Sequence, residues 1–241
     1  MLRRRTRALL AAALTLALTG CEWPATERMI TAAATADPSA PPTVPSEELA
    51  APDTLGKLAD PGSPGIEGPE QNPIPSGLEL ASAGFLRPGG TVDGIECAKN
   101  EKFLFHVHTR LTVFVAGKPR QIPAAIGIAP PLGIDRKPKG LFFVNNGDCF
   151  AWLHTHTPDG IIHIESPIQR QFTLGDFFDV WGQPLGRNQV GPEHGRVTAF
   201  FNGKRYLGDP RGIPLGRHVE IQLDVGDPIV APEDIPFGGG L

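Results

Sequence analysis

The stretch WLHTHTPDGIIHIE, residues 152–165, sets His154, His156, His163 and Glu165 on either side of a turn signal. A second stretch, FLFHVHTRLTVFV, residues 103–115, carries His106 and His108, so five of the chain's seven histidines fall between positions 106 and 163. The pattern is H-x-H twice, then H-x-E. On a β-strand, residues two apart point the same way, so each H-x-H aims two imidazoles at one place; a helix would need ligands four apart. Imidazole and carboxylate suit zinc, copper(II) and ferrous iron, so the spacing predicts one divalent transition metal held by His106, His108, His154, His156, His163 and Glu165. Copper or zinc is favoured, and two histidines with Glu165 would make a facial triad for iron. A Cu(I) site rich in thioether is excluded, because the only methionines are Met1 and Met29.

Two other readings use the same residues. In a metalloenzyme, one coordination position stays open, Glu165 acts as general base or ligand, and Trp152 or Trp181 flanks the pocket. In a metal-free interaction module the histidines diverge. Glu165 is then a solvated strand residue or a salt-bridge partner for Arg110 or Arg170, while the isolated His194 and His218 are expected at the surface. No nucleophile elbow or phosphate-binding glycine loop is present to support other catalysis.

The register of the central hairpin decides whether the ligands meet. A four-residue Thr157–Gly160 loop pairs His156 with Ile161, His154 with His163 and Trp152 with Glu165, which puts every ligand on one face. A bulged three-residue loop would turn His163 away. The first register is expected, because it separates Ile162 and Ile164 cleanly from the polar side.

The elements that must position these residues are mainly strands. In the first histidine stretch Phe103, Phe105, Val107, Leu111, Val113 and Val115 alternate with Leu104, His106, His108, Arg110, Thr112 and Phe114. Gly117-Lys118 and Asn202-Gly203 are turn signals, and HVEIQLDVG reads as a half-buried strand. TLGDFFDVWG is the exception: Thr173 as cap, Asp176 three residues on, and Gly182 as terminator predict a short helix. The fold expected over residues 85–241 is mainly β, a single compact β-sandwich or grasp-like sheet domain with one short helix.

Upstream, residues 21–84 hold eleven of the 26 prolines and a single aromatic, Trp23. That composition predicts a disordered tether. Residues 1–20 combine Arg3, Arg4, Arg5 and Arg7 with a short apolar run, the form of an export signal and too short for a permanent span. Leu18-Thr19-Gly20-Cys21 resembles the lipobox of bacterial lipoprotein precursors. The resemblance implies cleavage before Cys21, lipid on Cys21, and a protein anchored at the cell membrane, facing the periplasm or the cell exterior. The four arginines, and no acid, would leave with the signal, taking the formal net charge from −4 to −8. An acidic chain without a basic run excludes a nucleic-acid partner; its protein partners are unspecified.

With Cys21 assigned to lipid, Cys97 and Cys149 are left to pair in an oxidising compartment, tying the starts of the two histidine-bearing strands together. The competing reading makes Cys149 a thiolate ligand. The body also resembles a group of secreted bacterial proteins carrying an HTH-x3-G-x-IH-x-E hairpin followed by FTLG-x-FFD-x-WG, through His154, Thr155, His156, Gly160, Ile162, His163, Glu165 and residues 172–182. That likeness brings no activity with it.

Overall fold

The computed structural model describes residues 40–241; the signal segment, Cys21 and Trp23 lie outside the described residues. The chain is mainly β. Its largest sheet has eight strands: β1 (Leu49–Ala50), β2 (Phe105–Val115), β3 (Lys118–Arg120), β4 (Leu153–His154), β5 (Ile161–Ser166), β6 (Val197–Phe201), β7 (Lys204–Tyr206) and β8 (Val219–Val225). The order is β1-β7-β6-β8-β2-β5-β4, with β3 beside the far end of β2. All neighbours are antiparallel except β8 and β2, which run parallel at the centre.

Alternation in the sequence becomes two distinct faces. Val107, Leu111 and Val113 of β2, Ile162 and Ile164 of β5, and Val219, Ile221 and Leu223 of β8 share one face and are buried. The single α-helix among the described residues, α1 (Leu174–Trp181), covers that face with Leu174, Phe177, Phe178 and Trp181. Each such aromatic or branched side chain contributes roughly 1.5–3 kcal/mol by leaving water. The helix begins as expected: Thr173 Oγ1 accepts from the Asp176 amide, Asp176 accepts from the Thr173 amide, and Gly182 ends it at φ 72°. This arrangement, a helix on one face of a large mixed sheet, is the grasp-like of the two expected forms.

Turn chemistry fixes the hairpins. Ala116-Gly117 and Asn202-Gly203 have positive φ at both positions, the geometry whose twist matches flanking strands. Gly160 sits at φ 82°, and its carbonyl accepts the Leu111 amide where β2 passes from β5 to β3. A Cβ there would lie 2.2 Å from the Leu111 carbonyl oxygen, so the close approach requires glycine.

The opposite face of the sheet is polar yet covered. Residues 40–84, expected to belong to a free tether, are ordered against the domain. β1 pairs with β7, Asn72, Ile74 and Leu80 are buried, and Ala59 bridges to Val230. The folded body therefore starts well before Phe85. The proline-rich segment forms only short local elements, two 3-10 turns and the hairpin of Ile66–Glu67 with Pro73–Ile74, and long-range contacts hold them to the domain. Arg110, buried on this face, binds Asn72 Oδ1, Glu220 and the carbonyls of Ile235 and Pro236, which holds both covering segments down. β8 is accordingly buried on both faces rather than half-buried, with Gln222 and Asp224 inside. Burial raises the Asp224 carboxyl to about 6, although the Gln222 side chain and the Val230 amide both donate to it.

Candidate metal centre

His106, His108, His154, His163 and Glu165 sit on the covered polar face, and His156 lies just past the end of β4. β2 and β5 pair antiparallel with His163 opposite His108 and Glu165 opposite His106, while β4 sets His154 opposite His163. The expected register thus holds at its deciding pair, and the Glu165 amide also donates to the Trp152 carbonyl. The pairing expected between His156 and Ile161 does not form. Beyond His154 the chain leaves the sheet: Thr155 and His156 exchange backbone hydrogen bonds with Ala125, Ile126 and Val144. This departure turns the His156 ring back toward His154.

A single disulfide joins Cys97 to Cys149, which removes Cys149 from any ligand set. Cys97 lies in the strand Ile95–Ala98, paired with Phe150–Ala151 just ahead of β4. The bridge thus ties the strand that precedes β2 to the one just ahead of β4, the pairing expected for Cys97 and Cys149.

Each inner histidine is oriented by what its outer nitrogen does. His154 Nδ1–H donates to the Ala151 carbonyl at 2.8 Å, and His156 Nδ1–H donates to the Val144 carbonyl at 2.6 Å. Both Nε2 lone pairs then face inward, 3.1 Å apart. His163 is turned the other way round: Nε2–H donates to Glu70 Oε1 at 2.7 Å, leaving Nδ1 inward, 3.5 Å from Glu165 Oε1. Ligand atoms of His154, His156, His163 and Glu165 all lie within 4.8 Å of one another. A tetrahedral ion with bonds of about 2.0–2.1 Å sets its donors roughly 3.3 Å apart. The cluster has that scale, and outer hydrogen bonds of this kind fix tautomer and ring orientation in metal-binding histidines.

His106 and His108 stand beside this tetrad. Their Nε2 atoms are 2.9 Å apart, and His108 Nε2 is 3.2 Å from His163 Nδ1. His106, the more exposed, also approaches Glu165 Oε1 at 3.1 Å. Glu165 meets histidines rather than Arg110 or Arg170; Arg110 pairs with Glu220, and Arg170 donates to the Asp93 carbonyl. His194 and His218 are exposed, as expected. Trp152 and Trp181 both lie in the apolar core, away from any pocket at the site.

Sequence reasoning missed two carboxylates. Glu70, from the supposed tether, accepts from His163 and from the Thr157 hydroxyl at 2.7 Å each. Glu101 Oε1 lies 3.6 Å from His156 Nε2 and 3.9 Å from His154 Nε2. No local signal marks either.

The electrostatics divide the histidines. Burial, with neighbouring imidazoles adding to it, holds His108 and His154 well below the usual histidine range and His156 down to about 4. Their rings are neutral, the form a metal needs. His163 differs: burial opposes its charge, but hydrogen bonds to Glu165 and Glu70 prevail and push it up to about 9. Burial likewise opposes charge on Glu165, and His106 and His163 more than offset it, so this carboxyl stays ionised far below its ordinary range. Three carboxylates around one imidazolium favour a dication.

No family model matches the chain, and no curated protein or solved structure is detectably similar to it. What the chain does must be argued from the site alone. A buried His/Glu cluster that could hold a metal ion is its distinguishing feature. Convergence of the histidines also removes the premise of a metal-free module, in which they would diverge. Among the described residues no helix is long and apolar enough to cross a membrane.

Proposed function

We propose that this is an extracytoplasmic metal-binding protein, anchored by lipid on Cys21, that holds a divalent transition ion through His154, His156, His163 and Glu165. The observation that carries the reading is the set of outward hydrogen bonds. Ala151, Val144 and Glu70 each take the outer N–H of one ring, and the three inner nitrogens and a Glu165 oxygen all lie within 4.8 Å of one another. A core closed by apolar packing would not turn three imidazoles and a carboxylate toward one spot. Three imidazoles and one carboxylate, with no thiolate or thioether, favour zinc or copper(II) over Cu(I). Anchoring rests on the lipobox resemblance and on the cysteine pair, which suits an oxidising compartment.

The test is elemental analysis of the mature protein, made in an oxidising compartment without a His tag, beside a His154→Ala/His156→Ala variant. Near-stoichiometric zinc or copper in the parent, absent from a variant with unchanged circular dichroism, supports the reading. A parent that stays metal-free after incubation with either ion overturns it. Anchoring is tested separately, since Cys21→Ser should move the protein from the membrane fraction to the soluble one.

A further inference from the structure

The tetrad leaves donors over. One four-coordinate ion would use His154, His156, His163 and Glu165, yet His106 and His108 form a second potential ligand group that meets the first at His163. With His163 Nδ1 committed inward, the Nε2 atoms of His106 and His108, 2.9 Å apart, still face a common point. Glu165 lies between the two groups. Its Oε1 reaches His163 at 3.5 Å and His154 at 3.9 Å on one side and His106 at 3.1 Å on the other. Its Oε2 is buried and finds no hydrogen-bond partner among the described residues, in a side chain only 3 % exposed. A buried, ionised carboxylate with one oxygen shared and the other unpartnered is under-satisfied by protein alone. A cavity of about 230 Å³ opens on the same side, lined by His106, Val107, His108, Arg217 and His218, with room for water ligands.

Resting on the tetrad reading above, we propose that the cluster is a two-ion centre. The inner ion is held by His154, His156, His163 and Glu165. A second divalent transition ion binds His106 and His108, shares Glu165 as a bridging carboxylate, and completes its coordination with water from the cavity. The outer position has two imidazoles where the inner has three, and His106 borders solvent, so the outer ion is the weaker and the faster to exchange.

Full-length mature protein, stripped with a chelator, is dialysed against buffered free Zn²⁺ over a range of concentrations, and bound metal is counted per chain. The parent is expected to take two ions, the second at least tenfold more weakly. His106→Ala/His108→Ala is expected to keep the tight ion and lose the weak one. His106→Ala alone removes a partly exposed side chain and guards against a misfolded double variant; it should weaken only the second ion. Under Cu²⁺, the doubly loaded parent should show electron paramagnetic resonance lines broadened by a neighbouring spin, absent in the variants. A parent saturating at one ion overturns this inference and leaves the mononuclear reading standing. Two ions in parent and double variant alike overturn the assignment to His106 and His108. A parent that takes none overturns both readings.

Discussion

Glu70→Ala probes the centre from its outer side. Glu70 touches no inward lone pair; it accepts His163 Nε2–H at 2.7 Å and the Thr157 hydroxyl. Without it the His163 ring is free to hold its proton on Nδ1, the atom meant for the metal. Loss of such an outer partner costs 10- to 100-fold in metal affinity, about 1.4–2.7 kcal/mol. A second effect opposes the first. In the metal-free protein His163 titrates at about 9, so below that pH the ion must displace a proton, and parent affinity falls about tenfold per pH unit. Removing Glu70 lowers that pKa and weakens the proton as a competitor. The penalty should therefore be largest near pH 9.5 and should shrink as pH falls toward 7. Competition against a chromophoric chelator from pH 6.5 to 9.5 measures this directly, with circular dichroism confirming the fold. The parent curve should break near 9 and the variant's at lower pH. Equal affinities at pH 9.5, or a penalty that ignores pH, would refute the argument that Glu70 orients His163.

Three further outcomes follow from the same geometry. Metal-free protein should be most stable near pH 6.5. Below it, His108, His154 and His156 are held neutral in the fold while the unfolded chain binds protons; for His156 alone, 6.5 to about 4 is worth about 3 kcal/mol. Above it, the stabilisation from the raised His163 is lost as pH climbs through about 9, so urea midpoints rising steadily from pH 5 to 10 would contradict the assignment. Cys97→Ser/Cys149→Ser should cost about 2–4 kcal/mol in urea unfolding and lower metal affinity by unbracing the strands; unchanged values on both counts would separate the disulfide from the site. Gly160→Ala should lose more than about 2 kcal/mol, through its left-handed φ and the clash with Leu111, and a loss under 1 kcal/mol would mean the turn can relax.

Much of the centre was legible because it obeys strand periodicity. His106 and His108 share a face for the same reason that Val107 and Leu111 share the other, and the polar-apolar split at Ile162 and Ile164 picked the register. Thr173, Asp176 and Gly182 declared the helix, since capping is local chemistry. Glu70 was illegible for the opposite reason. It sits at the tip of a short hairpin in which Ile66–Glu67 pairs with Pro73–Ile74, and that hairpin is held against the sheet by Arg110 on Asn72, a partner that no window of sequence brings together. The buried polar side of β8 was missed likewise, because the segment covering Asp224 arrives after the strand has ended.

Two of the inner imidazoles are aimed by main-chain carbonyls, those of Ala151 and Val144. A carbonyl cannot be deleted by changing a side chain. The tuning of His154 and His156 is therefore written into the path of the backbone, and it survives drift at positions 144 and 151 so long as the chain keeps its course. Only His163 depends on a replaceable side chain, and that one contact at Glu70 is where natural variation could retune the ion's affinity without altering a single donor atom.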